Sequence, residues 1–201
     1  TREAYPYNMD FRVLEINAVG NKKIVTGGFK EGYWGALDSQ NHIIPNVAEL
    51  PFDAGEVSGL EKGTVFGGIL KANSKQSKFV LSIRASDVFE IYRVSDDGIN
   101  RVYVSPFKHI PKTRKKGGGH AIDYNQSIGG IKNIAVSDDL ICFSLFLQNY
   151  NEAAKTDFAS NELFCFDWDG NKVKKYVLPF PIGNFCIDGT HIYGVRNFED
   201  K

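Results

Sequence analysis

What this sequence lacks narrows its chemistry first. No apolar run approaches the roughly 20 residues that span a bilayer as a helix, and the opening TREAYPYNMD has neither the basic nor the apolar region of an export signal. It also does not begin with Met, so a processed product or part of a longer chain is expected. Net charge is absent, because 24 Lys plus Arg balance 24 Asp plus Glu. No long-range field draws nucleic acid or an acidic membrane surface, and a nucleic-acid partner is not expected. The chain contains no CxxC, HxH, HExxH or GxxxxGK[ST] motif, which argues against a histidine metal centre and a P-loop and implies no cofactor. Cysteine is scarce and odd in number. Cys142, Cys165 and Cys186 each sit inside an apolar run, which reads as buried free thiols rather than a disulfide framework and leans towards a reducing compartment.

What is present is a folded domain's composition, with 42% hydrophobic and 13% aromatic residues over 201 positions. The clearest stretch is 134–195. There, short apolar and aromatic runs (IAV, LICFSLF, ELFCFDW, KVKKYVL, NFCI, HIYGV) are separated by Ser-Asp-Asp, Asp-Gly-Asn and Asp-Gly. Tight turns of that kind between β-branched and aromatic runs mark antiparallel strands joined by hairpins.

The same grammar recurs from the start of the chain. FRVLEI (11–16), KKIVTGGF (22–29), YWGALD (33–38) and HIIPNV (42–47) form a first cycle, with Pro45 placing its last strand at an edge. TVFGGILKA (64–72), KFVLSIRA (78–85), VFEIYRVS (88–95) and INRVYVS (99–105) form a second. A third spans 131–178, and a fourth begins at 184 and stops after two strands. Pro-Phe closes the cycles at 51–52, 106–107 and 179–180. Four strands per unit at such a period predict an all-β fold, a β-propeller of four-stranded antiparallel blades. The expected units cover about 11–52, 64–107, 131–180 and, in part, 183–201, either as one propeller domain or as the later part of one. LICFSLFL is apolar without alternation, as suits a strand buried on both faces between neighbouring blades. Blade geometry then puts the tight turns on one face of the ring. The long segments 53–63 (with room for one helical turn), 107–130 and 148–161 fall on the other face, where binding residues are expected.

KKIVTGGFKEGYWGALD (22–38), FEIYRV (89–94), SIGGIKNIAVSDDLICFSLF (127–146) and NELFCFDWDGNKVKKYVL (161–178) resemble the TolB-like six-bladed β-propeller family of exported lipoproteins. The resemblance spans nearly the whole chain as a pattern and implies the fold and a cell-envelope location. It supplies no catalytic motif. About three and a half blades stand where the family has six, which implies self-association or a further segment to complete the ring. SLFLQN (144–149) stands where similar proteins carry a small-residue, Arg-containing turn.

The sharpest local feature is KTRKKGGGHAIDY (112–124). Lys112, Arg114, Lys115 and Lys116 are suited to a phosphate, sulfate or uronate, the glycines letting backbone amides approach an anion. The competing reading is a solvated basic loop. His120 beside Asp123 and Tyr124 offers acid–base groups. Arg84, and Tyr150 with Phe158 in the loop 148–161, complete the candidate contact set. Turn chemistry accounts for the aspartates, and core packing accounts for Trp34 and Trp168, which read as equivalent third-strand positions. The expected function is a non-catalytic recognition or scaffold module binding a glycan or protein partner through the long-loop face. The alternative is a propeller hydrolase or lyase acting on a glycan or peptide through His120, Asp123, Arg84 or Tyr124.

Overall fold

A computed structural model of the chain describes residues 12–29, 32–44, 49–73, 75–106, 108–188 and 191–195. The first sheet comprises β1 (Arg12–Val19), β2 (Lys22–Gly28), β3 (Trp34–Leu37) and β4 (Ile43–Ile44), paired antiparallel in chain order. Helix α1 (Gly59–Phe66) leads into a second sheet of β5 (Gly67–Asn73), β6 (Lys78–Ile83), β7 (Phe89–Ser95) and β8 (Gly98–Val104). A hairpin of β9 (Thr113–Lys116) and β10 (Gly119–Ile122) follows. The third sheet holds β11 (Ile128–Val136), β12 (Ile141–Asn149), then α2 (Tyr150–Ala154) in the connection, β13 (Ser160–Phe166) and β14 (Lys172–Ile182). The pair β15 (Asn184–Ile187) and β16 (Ile192–Val195) comes last.

First strands lie side by side, β1 against β5, β5 against β11 and β11 against β15, so the sheets are arranged around a common axis as propeller blades. Their apolar faces meet in three seams. Trp34, Phe79, Leu81 and Tyr92 fill the first. Val80, Phe89, Ile91, Phe143, Phe166 and Trp168 fill the second, and Cys142, Leu163, Cys165, Ile182 and Phe185 the third. Phe79 and Leu81 of β6 enter the first seam while Val80 enters the second, which is why that strand is apolar at consecutive positions. Each such side chain removed from water contributes about 1.5–3 kcal/mol.

Polar groups stitch the same seams. The Tyr33 hydroxyl donates to Glu90, whose other carboxylate oxygen accepts from Arg101 Nη1 at 2.7 Å. Glu90 is fully buried, and that burial pushes its pKa up against the pull of Arg101. Lys78 Nζ crosses the second seam to Trp168 O at 3.0 Å and Asp169 Oδ1 at 2.8 Å.

Several sequence expectations need correction. Cys142 and Cys165 are a disulfide, not free thiols. Antiparallel pairing of β12 with β13 sets them directly opposite, with Cα atoms 4.1 Å apart, while Cys186 is free and exposed. Residues 64–66 are helical rather than strand, because α1 runs to Phe66. The basic run is an ordered hairpin, not a loop, and the 148–161 connection contains a helical turn with Ala153 fully buried. The strand expected at LICFSLFL does form and runs on to Asn149, so SLFLQN is strand where similar proteins carry a turn. Trp34 and Trp168 both pack in seams, as expected, but are not equivalent. Trp34 opens β3, whereas Trp168 follows β13 inside the turn. The edge role of β4 holds in the sheet order, while Pro45 and the opening TREAYPYNMD lie outside the described residues.

Candidate functional site

The β1–β2, β3–β4, β5–β6, β7–β8, β11–β12 and β13–β14 hairpins turn on one face of the ring; α1, the β9–β10 hairpin and α2 occupy the other. On that second face the basic run is anchored from below. Ser58 caps α1, its hydroxyl donating to Glu61 Oε2 at 2.8 Å and its backbone N–H at 3.1 Å. Glu61 also accepts from His120 N at 2.8 Å, and its other oxygen faces His120 Nδ1 at 3.2 Å. The Ser58 hydroxyl, then the His120 and Ser58 backbone amides, hold the Glu61 carboxyl at about 2. A Cβ at Gly119 would come within 2.6 Å of Glu61 Oε1. The glycine-rich run therefore does bring a backbone amide to an anion, and that anion is the chain's own Glu61.

The remaining members of the run are placed as follows. Lys115 pairs with Glu56 at 2.9 Å in full exposure, and Arg114 and Lys116 are exposed on β9. Gly117 and Gly118, with φ of 58° and 83°, make the turn that no β-branched residue would accept. The Lys112 side chain is exposed, and its backbone N–H donates to Ser127 Oγ at 3.1 Å. Asp123 caps Asn125 N at 3.1 Å and accepts from Gln126 Nε2 at 2.9 Å. His120 thus pairs with Glu61 and Asp123 with its own turn, so the two are not assembled as an acid–base couple.

Tyr124 and Tyr150 come together, their ring centroids 4.0 Å apart, and Phe158 lies 5.1 Å beyond Tyr150. Asn125 ties the two segments, accepting from Asn149 Nδ2 at 2.8 Å and from Asn151 Nδ2 at 2.7 Å. Phe158 sits at a φ of 52°, a left-handed conformation that a bulky residue adopts only when its surroundings impose it. Its backbone N–H is held by Ala153 O at 3.1 Å. Over these rings lies Lys132, its Nζ 4.2 Å from the Tyr150 centroid and 3.8 Å from that of Phe158. A register shift in β11 between Ile131 and Asn133 leaves Lys132 without a cross-strand partner, the kind of bulge that re-aims a side chain.

Burial, and secondarily the charge of Arg84, bring the Lys132 amine down to about 8. Arg84 is half-buried, bridged to Gly130 through the backbone, and its Nη1 donates to Thr64 O at 3.2 Å. Its charge also reaches Tyr150, where it opposes the rise in pKa caused by burial. Sequence reasoning named Arg84, Tyr124, Tyr150 and Phe158 but missed Lys132. The available signal was a lone cation inside the apolar first strand IGGIKNIAV.

Next to this cluster, across Ser127, whose carbonyl accepts from Tyr150 N at 2.9 Å, lies a cavity of about 290 Å³. Lys108, His109, Lys112 and Ser127 line it with Ile110 and Ile128. Asp87 fixes His109, contacting Nδ1 at 2.9 Å and accepting from its backbone N–H at 3.2 Å. An apolar cleft of about 350 Å³ between Leu178, Phe180, Ile182 and Tyr193 lies on the last strands. Among the described residues, no group of three or more His, Cys, Asp or Glu is placed to hold a metal ion. No helix among them is long and apolar enough to cross a membrane.

Residues 4–190 match the family model described as TolB-like 6-blade propeller-like. No curated protein matches the chain. Among solved structures, it is similar to the β-propeller domain of Myceliophteria thermophila Cps50 (Swd1), with a TM-score of 0.48 and 12% identity. That match covers 88% of this chain and 46% of the other, so this chain spans about half the length of that protein.

Proposed function

The chain belongs to the TolB-like 6-blade propeller-like family, and from that premise we propose that it is a non-catalytic recognition module of the cell envelope. It binds a glycan or protein partner through its long-loop face. Its blade units belong to one propeller domain, completed by self-association or a further segment. One observation carries the reading. Five side chains from separate segments, Arg84, Tyr124, Lys132, Tyr150 and Phe158, converge on the face that carries every long connection. The basic residues Lys112, Arg114, Lys115 and Lys116 rim the same face on or beside the β9–β10 hairpin, with His120 and Asp123 anchoring it.

The Cys142–Cys165 disulfide supports an oxidising compartment, since such bonds persist outside the reducing cytosol. Alkylation without reduction is expected to label Cys186 alone. The binding reading is tested by capture from envelope extracts on immobilised protein. Tyr124→Ala with Tyr150→Ala should abolish capture, while Asp38→Ala on the turn face should leave it intact. Equal capture by all three proteins would overturn the assignment to this face.

A further inference from the structure

We propose that the long-loop face recognises a hexuronate, a carboxylate carried on a sugar ring, held between Arg84 and Lys132 with Tyr124 alongside. The inference rests on the recognition reading above and names its ligand chemistry. Elsewhere in the molecule, a charge taken out of solvent meets its opposite: buried Lys78 meets Asp169 at 2.8 Å, and the buried carboxylate of Glu90 meets Arg101 at 2.7 Å. Arg84 is bridged through its backbone to Gly130, two residues before Lys132 in β11, and both cations are half-buried, yet neither has a carboxylate partner among the described residues. Among the described residues the guanidinium makes one hydrogen bond, to the Thr64 carbonyl, which leaves donors of a planar fork suited to a carboxylate. Acids on the neighbouring segments are engaged elsewhere, Asp87 by His109, Asp123 by Asn125 and Gln126, and Glu61 by Ser58 and His120. Two cations in a low-dielectric setting repel each other until an anion sits between them.

The ring part of the ligand follows from the aromatics. Lys132 already covers Tyr150 and Phe158, so a cationic ligand would find those faces occupied. Tyr124, half-buried against Tyr150, adds flat apolar surface that a sugar's C–H face can cover and a bare inorganic anion cannot use. Lys108 and Lys112 on the adjoining cavity extend the positive surface across Ser127, giving an acidic chain room to continue.

Isothermal titration of the whole chain tests this with three probes: tri-galacturonate, the neutral galactose trisaccharide and inorganic phosphate. Tri-galacturonate should bind, more weakly as salt rises, with the neutral trisaccharide and phosphate each at least tenfold weaker. Arg84→Met and Lys132→Met should each weaken tri-galacturonate binding tenfold or more, Lys132→Arg should retain it, and Asp38→Ala should leave it unchanged. Arg84→Lys, which keeps the charge and loses the fork, replaces Arg84→Met if thermal unfolding shows that variant misfolded, and should also weaken binding. Comparable binding of the neutral sugar, comparable binding of phosphate, or unchanged affinity in the Arg84 and Lys132 variants would each overturn the proposal. If those results arise while the paired Tyr124 and Tyr150 variants still abolish envelope capture, the uronate assignment fails and the recognition reading stands.

Discussion

The two faces of the ring are built by different means. On the turn face, four hairpins close with an acceptor from their own few residues, while a few remote contacts, Lys22 Nζ to Ser95 O at 2.7 Å and Asn73 Nδ2 to Asp138 O at 2.8 Å, join neighbouring turns. Asp38 Oδ1 accepts from Gln40 N at 2.8 Å and His42 N at 2.9 Å, and Asp167 Oδ1 accepts from Asp169 N at 2.9 Å and Asn171 N at 2.8 Å. Asp188 and Ser137 cap His191 and Leu140 in the same way. On the long-loop face the decisive contacts are remote. His120 meets Glu61 across 59 residues, His109 meets Asp87 across 22, and Asn125 joins the α2 segment across 24 and 26. A local closure is cheap in entropy and interchangeable between blades. A remote one exists only once the blades are packed, and for that reason it can be unique to one place in the ring.

If the long-loop face depends on remote packing, its largest vulnerability is where α1 lies on β2. A Cβ on Gly63 would stand 1.2 Å from Gly27 O and 2.7 Å from Gly28 N, backbone atoms that cannot step aside. Gly63→Ala should cost roughly 3 kcal/mol by urea denaturation; a midpoint within error of the parent would show that α1 is not held there. Next comes Tyr150→Ala, which removes ring contacts to Tyr124 and Phe158 and a cation–π contact to Lys132. A loss of about 2 kcal/mol is expected, with the Lys132 amine returning towards 10.5 by NMR titration.

Turn-face substitutions should be milder. Asp167→Ala removes acceptors from one hairpin only and should cost about 1 kcal/mol, with binding at the opposite face unaltered. A loss of binding would mean the faces are coupled. The smallest effect is in pH dependence. Because burial lowers the folded-state Lys132 pKa from 10.5 to about 8, the unfolded chain holds more protons between those values. Stability in that window should therefore rise with pH relative to Lys132→Met, whose profile lacks this contribution. A steeper rise in the variant would reverse the sign and place Lys132 in a charge-stabilising environment.

How much of this was legible in the sequence divides along the same line. ICF in β12 read as part of a doubly buried strand and is so, sending alternate side chains into two seams, and FVL in β6 does the same. Ser-Asp-Asp, Asp-Gly-Asn and Asp-Gly read as hairpin turns, and the strands on either side of each pair antiparallel. The helical end at Thr64–Phe66 went unread because TVFGGIL is equally good strand material, and only α1 packing on β2 decides the matter. The basic run read as an open loop because nothing local reveals that Glu61 awaits His120.

Strand order, turn positions and the propeller class were therefore written in the amino-acid sequence, since side-chain alternation and Asx capping act over two to four residues. Tertiary structure decided the rest. The bridge between Cys142 and Cys165, 23 residues apart, required β12 and β13 to pair in one register. The placing of Lys132 over Tyr150 and Phe158 required a bulge in one strand and a strained turn after the next. Each depends on distances that no local rule fixes, because they are set only when apolar faces from separate blades exclude water together.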